Sequence, residues 1–248
     1  MSDIIKNGEL KDYHGFEWRV FEFEGREADV IFPKEPDYLR RWIWRAEFLD
    51  CGFDTVDVEM LRRGYFLVYY RVSDMYGCPK SIGYMKKFYD FIVSELGLDQ
   101  KTILFGFSRG GLYSVNFALR YPAIVRALYL DAPVLDIKSW PGGLGVGLGS
   151  EREYAEALEC YGLDRSSVLA FRENPVDRLY ELADDGIPVV TVAGDSDRDV
   201  PHLENAEHLH RVYTERGMKE LYIIKPGCDH HPHSLEDPTP VCDFLCDC

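Results

Sequence analysis

Three short stretches of the chain carry residue types that together can make a serine hydroxyl reactive. The first is TILFGFSRGGLYSVNFAL, which contains Gly106-Phe107-Ser108-Arg109-Gly110 between a predicted strand and a predicted helix. A serine on so tight a turn needs small neighbours on both sides, because its backbone is strained and the helix must begin at once. Gly106 and Gly110 meet that need. The turn would lift the Ser108 hydroxyl out of the sheet, while the N–H of Arg109 and the start of the helix face developing negative charge. A glycine-rich turn with an incidental serine is the competing description, and the strand before and helix after weigh against it.

A serine hydroxyl is a weak nucleophile unless a positioned base removes its proton. The stretch Lys225-Pro226-Gly227-Cys228-Asp229-His230-His231-Pro232-His233 follows the last predicted strand and supplies imidazoles. His230, three residues after Gly227, is the expected base, with His231 as the alternative and His233 as a neighbour. The base in turn needs a carboxylate to hold its tautomer and stabilise the imidazolium. Gly194-Asp195-Ser196-Asp197-Arg198-Asp199-Val200-Pro201 offers three aspartates at another strand end. Asp197 is the expected acid. Asp195 or Asp199 would then turn the loop or cap the next helix, the ordinary work of an aspartate there. Asp131, at the end of the ALYL run, is a weaker candidate.

The same histidines, with Cys228, Asp229 and the tail Cys242-Asp243-Phe244-Leu245-Cys246-Asp247-Cys248, invite a rival reading as a metal site. Cysteine and histidine suit zinc, but the tail lacks the paired C-x-x-C spacing of common structural zinc sites. No metal and no cofactor are therefore expected.

The elements that must position these residues are legible as short apolar runs separated by helical stretches. The runs are FLVYYRV (66–72), TILFGF (102–107), ALYL (127–130), PVVTVA (188–193) and LYII (221–224). Continuous rather than alternating hydrophobicity suits strands of a parallel sheet covered on both faces. Residues 81–96 and 111–121 carry apolar side chains at helical period, the second stopping before Pro122. At the front, residues 15–34 read as two strands turning at Glu24-Gly25, an antiparallel edge, and residues 42–48 as a further strand. Alternation of strand and helix predicts a doubly wound α/β fold. The stretch after Asp131, with the glycine-rich PGGLGVGLG, is too long for a simple crossover and is expected to insert a cap or lid at about 135–175 into a single domain of residues 1–248.

Ser108, Asp197 and His230, in that chain order and each after a successive strand, resemble the serine-dependent α/β-hydrolase family. The elbow GFSRGG, the acid loop GDSDRDVP, similar to the family's G-x-x-D-x-x-V-P, and the histidine loop GCDH, similar to its G-x-x-H, carry the resemblance over nearly the whole chain. It implies an α/β-hydrolase fold, a mostly parallel central sheet with helices on both faces and a short cap insertion. It also implies Ser108 as nucleophile, Asp197 as acid and His230 as base. One part departs from the family. Many of its esterases carry His-Gly or His-Gly-Gly-Gly after the third strand, where a backbone N–H completes the oxyanion hole, and this chain has Trp44-Arg45-Ala46-Glu47. The N–H groups of Arg109 and Arg45 are the expected donors. The Arg45 side chain would reach either a substrate carboxylate or an acidic neighbour. Trp44, Tyr76 and Trp140 are the expected aromatic walls of the substrate site, unless they only pack.

Composition bounds the partners. With 28 Lys+Arg against 43 Asp+Glu, the formal charge of −15 opposes non-specific binding to nucleic acid or an anionic membrane. No apolar run approaches the roughly 18 to 20 residues of a membrane helix, and the polar opening has no signal-peptide core. Seven scattered cysteines do not resemble a disulfide framework. A cytoplasmic serine esterase acting on a small-molecule ester is the expectation, with its oligomeric state left open.

Overall fold

The apolar runs become strands of one nine-stranded sheet in the computed structural model, which describes residues 3–248. The strands are β1 (Glu9–Tyr13), β2 (Phe16–Phe23), β3 (Arg26–Phe32), β4 (Trp42–Arg45), β5 (Phe66–Tyr70), β6 (Thr102–Phe107), β7 (Val125–Asp131), β8 (Val189–Gly194) and β9 (Glu220–Lys225). Their order is β1-β2-β3-β5-β4-β6-β7-β8-β9. The pairs β1–β2, β2–β3 and β3–β5 are antiparallel, and every pairing from β5 to β9 is parallel. The helices are α1 (Asp3–Lys6), α2 (Thr55–Arg62), α3 (Pro79–Leu96), α4 (Gly110–Arg120), α5 (Glu151–Tyr161), α6 (Leu179–Asp184), α7 (Ala206–Arg216) and α8 (Thr239–Cys246). None of them is long and apolar enough to cross a membrane.

The period of two along each strand sorts the core into two layers. Trp42, Trp44, Val68, Leu104, Leu128 and Leu130 face one side, where residues of α3, α4, α6 and α7 cover them. Ile43, Leu67, Phe105, Tyr129 and Val192 face the other, under α2 and α8. With both faces covered, every residue of β5, β6 and β8 is buried. That explains why those runs read as continuous apolar segments. The edge strand β1 escaped sequence reasoning because only Tyr13 in it is buried. The strand expected to reach residue 48 ends at Arg45, since the Ala46 N–H makes the last bond to β6, at Phe105 O (3.0 Å).

Between β7 and β8, α5 and the short 3₁₀ turn Ser167–Ala170 rest on a third apolar layer that includes Tyr76, Leu112, Ile137, Tyr154 and Leu158, while α6 packs on the first. The glycine-rich stretch within it folds onto the loop after β8. The Leu148 N–H donates to Arg198 O (2.9 Å) and the Val146 N–H to Glu204 Oε1 (2.6 Å).

Candidate active site

Ser108 follows β6 with a left-handed φ of 49°, a conformation that costs a non-glycine residue on the order of 1–3 kcal/mol unless its surroundings enforce it. Here they do. The Ser108 N–H donates to Asp131 O, and the Ser108 carbonyl accepts from Gly111 and Val134, each at 2.9 Å. The approach of strand and helix is close enough that a Cβ on Gly106 would lie 2.9 Å from Gly110 O and from Ser114 Oγ. The elbow thus tolerates no side chain at Gly106.

The loops after β8 and β9 bring the other two residues to the same sheet end. His230 Nε2 lies 2.9 Å from Ser108 Oγ, and His230 Nδ1 lies 2.7 Å from Asp197 Oδ2. The N–H groups of Asp199 (3.0 Å) and Val200 (2.8 Å) donate to Asp197 Oδ1, which fixes the carboxylate. An ionised carboxylate only accepts, so Nδ1 carries the proton and Nε2 presents its lone pair to the serine. All three residues are buried. Such a chain can draw the hydroxyl proton onto the imidazole and leave an oxygen able to attack a carbonyl.

The neighbouring aspartates have other work. Asp195 accepts from the Gly227 N–H (2.7 Å), and Asp229 accepts from the N–H groups of Arg198 (3.0 Å) and His230 (2.9 Å), so each ties the acid loop to the histidine loop. Those N–H donors and the Arg198 guanidinium hold the Asp229 carboxyl below its ordinary range. The loops meet so closely at Gly194 that a Cβ there would lie 2.3 Å from Cys228 O. Gly194→Ala is therefore expected to part Asp197 from His230. A displacement near 1 Å should lower kcat by about 10²-fold, and steady-state kinetics beside an unchanged circular-dichroism spectrum would check it.

Asp131 sits across from these loops, with His233 Nδ1 on its Oδ1 (2.8 Å) and the N–H of Ser234 (2.9 Å) and hydroxyl of Tyr129 (3.0 Å) on its Oδ2. It does not touch His230; it makes a second carboxylate–imidazole pair beside the first. Partners separated by 102 residues in the chain leave no local sequence signal. His231 is exposed, lies against the Phe53 ring, and bonds to neither Ser108 nor Asp197. Burial, then the flanking His233 and His230, push its pKa below the ordinary histidine value.

Arg45 takes the second of its two expected side-chain partners, an acidic neighbour, but not its expected oxyanion role. Its side chain is fully buried, with Nη1 2.6 Å from Asp57 Oδ2, so it cannot meet a substrate carboxylate. Its backbone lies inside β4, in register with Tyr69 of β5 on one side and Phe105 of β6 on the other, which removes it as an oxyanion donor. The guanidinium instead donates to the carbonyls of Glu47 (3.2 Å) and Phe48 (3.3 Å) from beneath. Those bonds hold the start of the β4–α2 loop, where residues 46–50 include no glycine and Phe48 keeps a φ of 60°. Among the described residues, the N–H groups of Glu47, Phe48 and Arg109 have no acceptor within the protein. A Cβ on Gly110 would lie 3.8 Å from the Glu47 nitrogen, so this loop borders the start of α4.

Two of the three expected aromatic walls are also corrected. Trp44 is wholly inside the core, packed on Trp42, Phe88 and Phe117, because it shares Trp42's face of β4. Tyr76 is buried with its hydroxyl on Glu156 Oε2 (2.6 Å) and supports α5. Trp140 alone keeps exposed surface. Sequence reasoning missed Glu47, whose carboxylate bridges to Arg109 (3.2 Å) while burial pushes its pKa up. With Asp50, Asp74 and Arg109 it lines a cavity of about 440 Å³.

A family model described as alpha/beta hydrolase fold matches residues 35–148. Among solved structures, the chain is similar to a puromycin-hydrolyzing peptidase from Mycobacterium tuberculosis, with 14% identity and a TM-score of 0.67 over 98% of this chain and 39% of that one. It is similar to a putative dipeptidyl aminopeptidase IV from Bacteroides ovatus, with 14% identity and a TM-score of 0.68 over 94% and 35%. An S-formylglutathione hydrolase from Agrobacterium tumefaciens is covered almost whole, with 14% identity and a TM-score of 0.63 over 96% of this chain and 95% of that one. The chain thus spans little more than a third of the two peptidase structures. No curated protein sequence matches it.

Proposed function

We propose that this chain, which has the α/β-hydrolase fold, is a serine hydrolase cleaving a carboxylic ester of a small or medium substrate. The observation that carries this reading is the unbroken chain from Ser108 Oγ through His230 to Asp197, at 2.9 and 2.7 Å. Ser108 attacks the acyl carbonyl as His230 takes its proton. Asp197 holds the imidazole and offsets the charge it gains. The tetrahedral oxyanion is met by the free N–H of Arg109 and by one from the Glu47–Phe48 loop, in place of the Arg45 amide. His230 then returns its proton to the leaving alcohol, activates water, and the acyl-enzyme is hydrolysed. Arg109 is anchored by Glu47 and Asp74, and Trp140 is the aromatic surface left for an aromatic acyl group or an acylated sugar. Seven free cysteines support a cytoplasmic location.

A second reading, an aminoacyl or short-peptide substrate, draws on one observation. Glu47, Asp50 and Asp74 line the cavity beside Arg109 and would suit a cationic amino group. A panel of acyl esters, acetylated sugars and aminoacyl amides separates the two. The ester reading expects kcat/KM to be highest on uncharged esters. Turnover confined to substrates with a free amino group would reverse the order.

A further inference from the structure

The imidazoles of His230, His231 and His233 converge in a way that the reaction just described does not require. Their ring centroids lie 5.1, 4.8 and 4.8 Å apart, with interplanar angles of 73°, 81° and 83°. One donor nitrogen from each lies within 4.8 Å of the others. In two of the rings Nδ1 is committed to a carboxylate, His230 to Asp197 and His233 to Asp131. That leaves Nε2 as the second nitrogen of each ring, on Ser108 Oγ in His230 and uncommitted in His233. A carboxylate behind an imidazole is the usual outer support of a zinc-bound histidine, since it fixes the tautomer and raises ligand basicity. Among the described residues, His233 Nε2 and both nitrogens of His231 have no hydrogen-bond partner in the protein.

We propose that His230, His231 and His233 form a binding site for a zinc ion that switches the enzyme off by drawing His230 Nε2 away from Ser108. Three neutral imidazoles and one water make a tetrahedral zinc shell. At Zn–N distances near 2.0–2.1 Å the nitrogens sit roughly 3.3 Å apart, so donors that lie within 4.8 Å of one another close by up to about 1.5 Å. The exposed His231 ring supplies that movement, because among the described residues it makes ring contacts with Phe53, His230 and His233 but no side-chain hydrogen bond. The carboxylates of Asp131 and Asp197 behind two of the ligands offset the charge of the ion. The lone pair that would accept the serine proton is then occupied by the metal, and catalysis stops without any covalent change. The inhibition rests on His230 acting as the base; the metal site does not.

Calorimetric titration of the Ser108→Ala variant with zinc chloride tests the site apart from turnover, and one ion per chain is expected. His231→Asn removes a ligand that touches neither Ser108 nor Asp197. It should keep the uninhibited rate and need about 10-fold or more zinc for half-inhibition; Asp131→Asn, which removes an outer support, should weaken zinc binding by about 10- to 100-fold. Cobalt bound in place of zinc should show no thiolate charge-transfer band. Absence of binding to Ser108→Ala, or binding unchanged in His231→Asn and lost in Cys228→Ser, would overturn the site. Binding by Ser108→Ala without inhibition of the wild type overturns the switch and counts against His230 as base. Binding still decides the site if the wild type has no hydrolase activity.

Discussion

Ser108→Ala is expected to lower kcat by roughly 10⁶-fold while KM changes little, because a serine nucleophile and its base act as one unit. Asp197→Asn should be less severe, about 10⁴-fold, since it leaves nucleophile and base in place but favours the wrong tautomer of His230. The graded pair is informative. Equal losses would mean that Asp197 does more than orient the imidazole. A Ser108→Ala protein with most of its activity would remove the acyl-enzyme altogether. The residual rate of Ser108→Ala reports what the oxyanion donors and substrate binding contribute alone, on the order of 10³ to 10⁴ over water.

The largest expected effect on stability lies at Arg45. Its guanidinium and the Asp57 carboxylate are both fully buried, and removing one partner leaves the other as an unpaired buried charge. Breaking such a pair costs about 3–5 kcal/mol. For a domain of this size each kcal/mol shifts Tm by about 2–4 °C, so Arg45→Ala should melt on the order of 10 °C lower. The double replacement Arg45→Met with Asp57→Leu should recover most of that loss, because two apolar groups of similar volume need no partner. Its activity should stay low, however, since the carbonyls of Glu47 and Phe48 would still lack their donor beneath the loop. Recovery of both stability and kcat in the double variant would show that Arg45 does not position that loop.

How far the residues announce themselves depends on how local their constraints are. The elbow was legible because the strand, the small residues and the helix all lie within Thr102–Phe107 and the residues that follow. The parallel strands were legible because burial on both faces leaves a continuous apolar run. Among three aspartates in one loop, the sequence could only rank, and the placement of Asp197 against His230 depends on Asp195 and Asp229 tying that loop to another 32 or 31 residues away. Trp44 was misjudged for a reason the sequence did contain. Residues i and i+2 of a strand share a face, so a core Trp42 puts Trp44 in the core as well. Arg45 was harder, since its partner Asp57 lies on a separate helix. The same holds for His233 and Asp131, joined only when β7 and the loop after β9 meet.

The central claim, that Ser108 is the nucleophile, is tested most directly by reacting the protein with a fluorophosphonate and locating the adduct by peptide mass spectrometry. The expected result is one adduct per chain, on Ser108, absent from Ser108→Ala and slowed in Asp197→Asn. An intact protein that takes up no label, or Ser108→Ala labelled as fully as the wild type, would contradict it.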